Sequence, residues 1–268
     1  MGDRITSSAR AALTRAGAGY LDLRGHLALR TDRIVVDSPV TPSAGRSDRK
    51  DGLRGEAGLA IAVWLLLSPD GGASVRHVAR DLGRSPSTVS EVFGALRRDG
   101  LVDEELRPQG ARLFEEVASR WPTARSPVRT APATDPLTAD ATALALGLDD
   151  IDASAGWALT GTAAAAALGA PIAARAGGAP DLFVPDELHL RRAVRLLGAA
   201  PDPATAGALL RVAPVPQVGT RRSAPVPTSG PWPLAHPLFV ALDLAQDRGR
   251  GREVLDAWTP RGDYNRVW

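Results

Sequence analysis

Ser74–Val102 reads SVRHVARDLGRSPSTVSEVFGALRRDGLV, and its spacing decides the fold. Val75, Val78, Ala79 and Leu82 recur at three- and four-residue intervals, which sets them on one face of a short helix. The hydroxyl of Ser74 is placed to accept from an otherwise unpaired backbone amide and so cap that helix. Ala79 is small where two helices must cross closely. Gly83 follows where the chain must turn sharply, and the left-handed conformation is easiest for glycine. Ser85 is a second N-cap. Pro86 suits the first helical position, since its missing N–H would be unpaired there anyway. Val89, Val92, Phe93 and Leu96 make the buried stripe of the second helix. Arg84, Ser87, Thr88, Ser90, Glu91, Arg97 and Arg98 are left facing out. Gly100 ends the helix, and Leu101-Val102 starts an extended run.

Two capped helices across a glycine turn, followed by a short strand, are the pattern of a winged helix-turn-helix. That shape places one helix in a DNA groove. The outward residues fit the task. Ser87, Thr88, Ser90 and Glu91 lie on the N-terminal half of the second helix, where short polar side chains meet base edges. Arg76, Arg84, Arg97 and Arg98 are positioned for phosphates, Ser85 lies at the helix entry, and Arg107 stands near the tip of a wing over Asp103–Gln109. The wing is acidic at Asp103, Glu104 and Glu105, which leaves Arg107 and Arg112 as its candidate phosphate contacts. The alternative is a helical hairpin that binds nothing or docks a protein.

The rest of the chain is organised around this motif. With 268 residues, two or more domains are expected. Residues 4–16 read as a short helix. Tyr20–Leu23, Leu27–Leu29 and Ile34–Val36 read as strands of a small antiparallel sheet, giving an N-terminal piece over residues 1–50. Pro39–Gly55 is polar and reads as a linker. Gly55–Leu67 is apolar around most of its circumference and is expected to be a buried supporting helix. Gly110–Trp121 closes a DNA-binding domain over 55–121. Residues 122–138, PTARSPVRTAPATDPLT, read as a linker or as an extended strand laid over a neighbour. A C-terminal α/β domain is expected over 139–268, so the fold class is α+β.

Charge and composition narrow the partners. The formal net charge is +2, although the isoelectric point is 9.6. With no cysteine, two tyrosines and one lysine (Lys50), little titrates between neutral pH and the arginines, so the high isoelectric point does not imply a strongly basic surface. Residues 1–130 hold 20 Lys/Arg against 16 Asp/Glu, and residues 131–268 hold 12 against 14. The basic half is the one with the helix-turn-helix, as double-stranded DNA as a partner requires. The arginine, alanine, glycine and proline bias suggests a high-GC actinobacterial source. No cysteine means no disulfide and no thiolate metal site. No signal peptide and no membrane span are expected, which points to a cytoplasmic protein, nucleoid-associated when bound to DNA.

Few residues suit catalysis. His26, His77, His189 and His236 have no mutual metal-ligand spacing, and His236 before Pro237 is expected to cap or pack a helix. A nucleotidyltransferase would need clustered carboxylates beside a phosphate cradle. The nearest sequences are Asp149, Asp150 and Asp152, and Thr160-Gly161-Thr162. The acidic run reads as a surface loop, so no catalytic residue, metal or cofactor is expected. Arg221-Arg222 reads as a solvated loop pair or as a second contact to DNA backbone. The apolar Val267-Trp268 is expected to tuck into a groove of the core or of a partner subunit.

Further motifs follow the helix-turn-helix: Trp157-x-Leu159-Thr160-Gly161 running into Ala163–Ala167, then Phe183-Val184-Pro185, then His236–Leu244 (HPLFVALDL), then Arg250–Leu255 (RGREVL). In this order they resemble the AbiEi-like antitoxin family of type IV toxin–antitoxin systems, over roughly residues 56–258. The resemblance implies an operator-binding winged helix and a nucleotidyltransferase-like C-terminal domain without catalytic carboxylates. It also implies a toxin or other protein as a partner. It does not extend to the first 50 residues, and a free-standing regulator built from the same parts is the alternative. Winged helices often pair, so a homodimer on two half-sites is an expected assembly; a monomer using its first and last domains on DNA is the other. A third class is an enzyme or small-molecule sensor with a pocket near Trp157.

Overall fold

The chain divides after Lys50 into two units. The computed structural model describes residues 7–22, 26–30, 35–39, 52–133, 143, 145–148, 156–173, 177–227, 230–262 and 264–268. In the first unit, α1 (Ser7–Arg15) precedes β1 (Tyr20–Asp22), β2 (His26–Arg30) and β3 (Val35–Pro39). The three strands pair antiparallel in sequence order, with Tyr20 opposite Ala28 and Leu29 opposite Val36. The small sheet expected from the alternating apolar residues is therefore present.

The second unit begins with α2 (Gly55–Leu67), in which residues 58–66 are all buried. A helix apolar all round needs neighbours on every side. It packs against α4 (Pro86–Arg98) and α5 (Arg112–Ala118), and also against the short α8 (Gln217–Thr220). The side-chain amide of Gln217 donates to the carbonyl of Ala60 at 2.9 Å. Between α2 and α4 lies α3 (Val75–Asp81). After α4 a tight hairpin runs from Leu101 to Gln109, bridged at Val102 and Pro108.

A six-stranded mixed sheet follows, in the order β4-β7-β6-β5-β9-β8. Its strands are β4 (Ser126–Val128), β5 (Ala158–Thr160), β6 (Asp181–Val184), β7 (Ala208–Val212), β8 (Arg222–Ser223) and β9 (Leu234–Ala235). The pairs β6–β7 and β5–β9 are parallel, and the others are antiparallel. Helices of this half include α6 (Gly161–Ala167), α7 (Glu187–Leu197), α8, α9 (Pro237–Leu244) and α10 (Arg250–Ala257). All eight residues of α9 are buried. The alanine-rich α6 packs against it, and the absence of bulky side chains on α6 lets the two backbones approach.

Of the two expectations for residues 122–138, a linker or an extended strand laid over a neighbour, the described part (122–133) takes the second at Ser126–Val128, and residues 134–138 lie outside the described residues. Residues 51–268 form one unit, because α2 and α9 are both enclosed by elements from either side of residue 122. Ser126–Val128 is the outermost strand in the sheet order, paired with β7 on one side and bridged at Val128 to Ala199 on the other. Pro127 lacks a ladder donor, and an edge is where a strand tolerates that. Trp121, at the end of α5, stacks on Phe239 of α9 and meets Phe183 of β6 edge-on. The C-terminal Trp268 packs on Trp258 and Phe114 and donates its indole N–H to the carbonyl of Leu255 at 3.1 Å. The described residues are thus a mixed α/β assembly, and none of their helices is long and apolar enough to cross a membrane.

Candidate nucleic-acid interface

α3 and α4 are each capped by the serine before them. The Ser74 hydroxyl accepts from the amide of His77 at 3.2 Å, and the Ser85 hydroxyl accepts from the amide of Thr88 at 3.1 Å. Between the helices Gly83 has φ +59°. That value lets the amide of Arg84 reach back to the carbonyl of Ala79 at 2.9 Å and close the turn. Val78, Ala79, Val89, Phe93 and Leu96 are buried, so the apolar stripes of both helices face the core as their spacing requires. Trp64 of α2 braces the pair from below. Its indole N–H donates to Asp81 at 3.2 Å, and its ring meets His77 edge-on.

Turned away from the core, α4 presents Ser87, Ser90, Glu91 and Arg98, all exposed. These positions follow one another at helical spacing, with Gly94 between Glu91 and Arg98 on the same stripe. A Cβ placed on Gly94 would meet only the far end of the Arg98 side chain, at 3.4 Å. The stripe is therefore polar at both ends and bare of side chain in the middle. Gly94 was not among the residues singled out from sequence, although its spacing from Glu91 and Arg98 marks it. Thr88 is half-buried. Its hydroxyl lies 2.8 Å from that of Ser85, which in turn is 2.9 Å from that of Ser87. Three hydroxyls thus form one cluster at the helix entry.

The predicted phosphate contacts fall into two groups. Arg76 and Arg98 are exposed. The other four are engaged within the chain, although Arg97, Arg107 and Arg112 remain exposed. The Arg84 guanidinium pairs with Glu56 of α2 at 2.5 Å. Arg97 donates to the carbonyl of Glu104 at 2.6 Å and lies 3.7 Å from its carboxylate. Arg107 lies 3.7 Å from the Asp103 carboxylate and folds back over Gly71. Arg112 donates to the carbonyls of Gly100 and Asp99, satisfying the C-terminal end of α4. The hairpin tip is set from inside: Leu106 has φ +66° and is 3% exposed. Its buried side chain holds a backbone conformation that a leucine otherwise avoids.

Between the sheet and α9 lies a buried polar network that the sequence did not reveal. Arg211 of β7 binds Asp181 of β6 through two nitrogens, at 3.1 and 2.8 Å, and Asp243 of α9 at 2.8 Å. Asp243 also accepts from the indole of Trp121 at 2.9 Å and from the hydroxyl of Thr160. Arg125 donates to Asp181 at 2.8 Å, and the Arg211 guanidinium lies 4.8 Å from the Phe183 ring centroid. Burial raises the Asp243 carboxyl to about 6, against the attraction of Arg211. The network ties α5 to the centre of the sheet.

Thr160-Gly161-Thr162, considered as a phosphate cradle, is part of this network. Thr160 is fully buried and bonded to Asp243, and a Cβ on Gly161 (φ +65°) would press on the Asp181 side chain at 3.3 Å. The space a phosphate would need is filled by a carboxylate already paired with arginine. Asp149, Asp150 and Asp152 lie outside the described residues. His236 caps α9, accepting from the amide of Leu238 at 3.2 Å, and burial lowers its imidazole to about 4, with Arg221 nearby adding to the effect. Asp186 caps α7 and accepts from the amide of His189, which holds its carboxyl below the usual range. Arg222, read as a loop residue, instead donates to the carbonyl of Trp157 at 2.8 Å. Trp157 itself is buried against Trp232 and donates to the carbonyl of Leu146.

No protein-family model, no curated protein and no solved structure matches the chain.

Proposed function

We propose that this chain is a sequence-specific DNA-binding transcription regulator of the winged helix-turn-helix type. In this reading α4 is the helix that enters the major groove and the hairpin over Leu101–Gln109 is the wing. The observation that carries it is the outward stripe of α4: Ser87, Ser90, Glu91 and Arg98 exposed around a bare Gly94, on a helix capped and braced by α3. Short polar side chains beside an uncovered backbone suit close approach to base edges. Arg76 and Arg98 supply phosphate contacts, whereas Arg84, Arg97 and Arg107 chiefly hold the module's shape. The motif order shared with AbiEi-like regulators agrees with this reading, and the chain is taken to act without a catalytic step.

Selection of bound duplexes from a randomised pool by the full chain tests the proposal. A recovered consensus is expected, with Ser90→Ala and Glu91→Ala each relaxing discrimination at one position by about 1–3 kcal/mol. Arg76→Ala and Arg98→Ala are expected to weaken all sequences alike and flatten the salt dependence. A pool that shows no enrichment refutes the reading.

One feature favours a second reading, a protein-docking regulator of the antitoxin type. The outward face of α7 carries Leu188 (54% exposed) and Leu196 (44% exposed) on either side of exposed Arg191 and Arg195. Such a face suits an acidic protein surface with an apolar centre. Mutating Leu188 and Leu196 to serine would abolish toxin neutralisation in that case and leave DNA selection unchanged.

A further inference from the structure

A cleft of about 690 Å³ opens between the N-terminal end of α2 and the two loops that leave the parallel strands β6 and β7. Its volume is within the range that holds a small organic ligand. The walls are mainly proline and aliphatic, among them Pro122, Leu190, Leu210 and Val215. Three carboxylates share the lining: Glu56 on α2, and Asp186 and Glu187 at the start of α7. The one cation in the lining is Arg211, which is 3% exposed and bonded to Asp181 and Asp243. Its charge is matched from behind, while Glu56 pairs with Arg84 and Asp186 caps α7; the lining as a whole carries three carboxylates against one guanidinium.

Glu56 gives the cleft a second face. Its carboxylate lines the cavity and also holds Arg84 at 2.5 Å. Arg84 directly precedes Ser85, the N-cap of α4. A positive charge entering the cleft competes with Arg84 for the same carboxylate.

We infer that this cleft binds an organic cation with an apolar body, and that its charge draws Glu56 away from Arg84. The freed guanidinium stands at the entry of α4, where it can reach a phosphate. Cation binding would thus raise DNA affinity. The second half of this inference rests on the DNA-binding function proposed above; the first half does not.

Two ions of one shape and opposite charge test the binding. Titration calorimetry of the full chain with tetraphenylphosphonium should give saturable binding. Tetraphenylborate should bind at least about tenfold more weakly, since only the sign of the charge differs. Glu187→Gln should weaken tetraphenylphosphonium about two- to fivefold, as an exposed charge pair would, and Leu190→Arg should abolish it. Equal binding of the two ions overturns the proposal, as does no binding of either. Tetraphenylphosphonium binding that is unmoved in both variants overturns it too. Gel shift on a selected duplex then tests the coupling. Tetraphenylphosphonium should tighten DNA binding by the wild type and leave Arg84→Ala unaffected, and Glu56→Gln should mimic the ligand in its absence. Cation binding without any change in DNA affinity overturns the coupling. Cation binding by a chain that selects no duplex upholds the site and refutes the regulator reading.

Discussion

Gly94→Ala separates stability from recognition at a single atom. Glycine inside a helix is about 0.8–1.0 kcal/mol less favourable than alanine, because the unfolded chain has more freedom to lose. Nothing in the fold needs glycine at this position. The helix is regular through Gly94, and an added Cβ would meet only the Arg98 guanidinium at 3.4 Å, the movable end of a flexible side chain. The variant should therefore be more stable by close to 1 kcal/mol, read as a higher urea midpoint at unchanged slope. Binding to a selected duplex should move the other way. If the backbone of α4 lies close to base edges at this point, a methyl group must push the helix outward. A loss of about tenfold in affinity, equal to about 1.4 kcal/mol, is expected. Ser90→Ala is the control, since it removes a hydroxyl from the same stripe without adding bulk. A Gly94→Ala chain that is more stable and binds DNA as tightly as wild type would refute the docking of this face into a groove.

Three further expectations concern the core. His236 is neutral in the folded state with its imidazole near 4, against 6.5 unfolded. Its contribution to stability is thus present above pH 6.5 and is lost as the pH falls through 4, by about 3 kcal/mol in all. Asp243, raised from 3.8 to about 6, acts oppositely: its contribution is full below pH 3.8 and is lost as the pH rises through 6. Urea unfolding of wild type and His236→Asn between pH 7 and 4.5 isolates the histidine, because Asp243 is common to both. The variant keeps a capping acceptor and should lose less stability over that range. Arg211→Met should destabilise by about 3–5 kcal/mol, since it leaves buried Asp243 without its cation and Asp181 with Arg125 alone, while Asp243→Asn, which keeps an acceptor for Trp121, should cost less; chemical denaturation at pH 7 orders the two. Trp268→Ala should cost about 2 kcal/mol through lost contact with Trp258 and Phe114, and its tryptophan fluorescence should change accordingly.

What the sequence made legible is local. Ser74, Ser85 and Pro86 act on amides within three residues of themselves, so the caps and boundaries of α3 and α4 could be read without knowledge of the rest. The small N-terminal sheet was legible for the same reason, its strands being consecutive. β4, with three residues and a proline, carries too little pattern to distinguish an edge strand from a linker. β8 and β9 have two residues each, and no periodicity can announce them. The charge pairs are worse still for a linear reading. Arg84 could have faced a phosphate equally well, and only the return of α2 to its side gives it Glu56. Arg97 is held by a carbonyl in the hairpin, a partner that no side-chain pattern encodes.

The network around Asp243 joins side chains from either side of residue 122. Trp121 and Asp243 are 122 residues apart, and each taken alone looks ordinary: an aromatic closing a helix, an acid within an apolar run. An acid at that point in HPLFVALDL is costly to bury unless paired, so its presence was the available signal that something polar must arrive from elsewhere. The partners that arrive are Arg211 from the sheet and the Trp121 indole from the end of α5. A carboxylate that needs both to be satisfied cannot be stable if the two halves part. The helices that carry the proposed recognition surface are thereby fixed to the sheet that forms the cleft. Arg211 lines the cleft and shares Asp243 with Trp121, so two hydrogen bonds join the cleft wall to the tryptophan that follows α5. The proposed coupling itself runs from Glu56 to Arg84, and Gln217, bonded to the carbonyl of Ala60, keeps α2 beside the loop after β7 that walls the cleft.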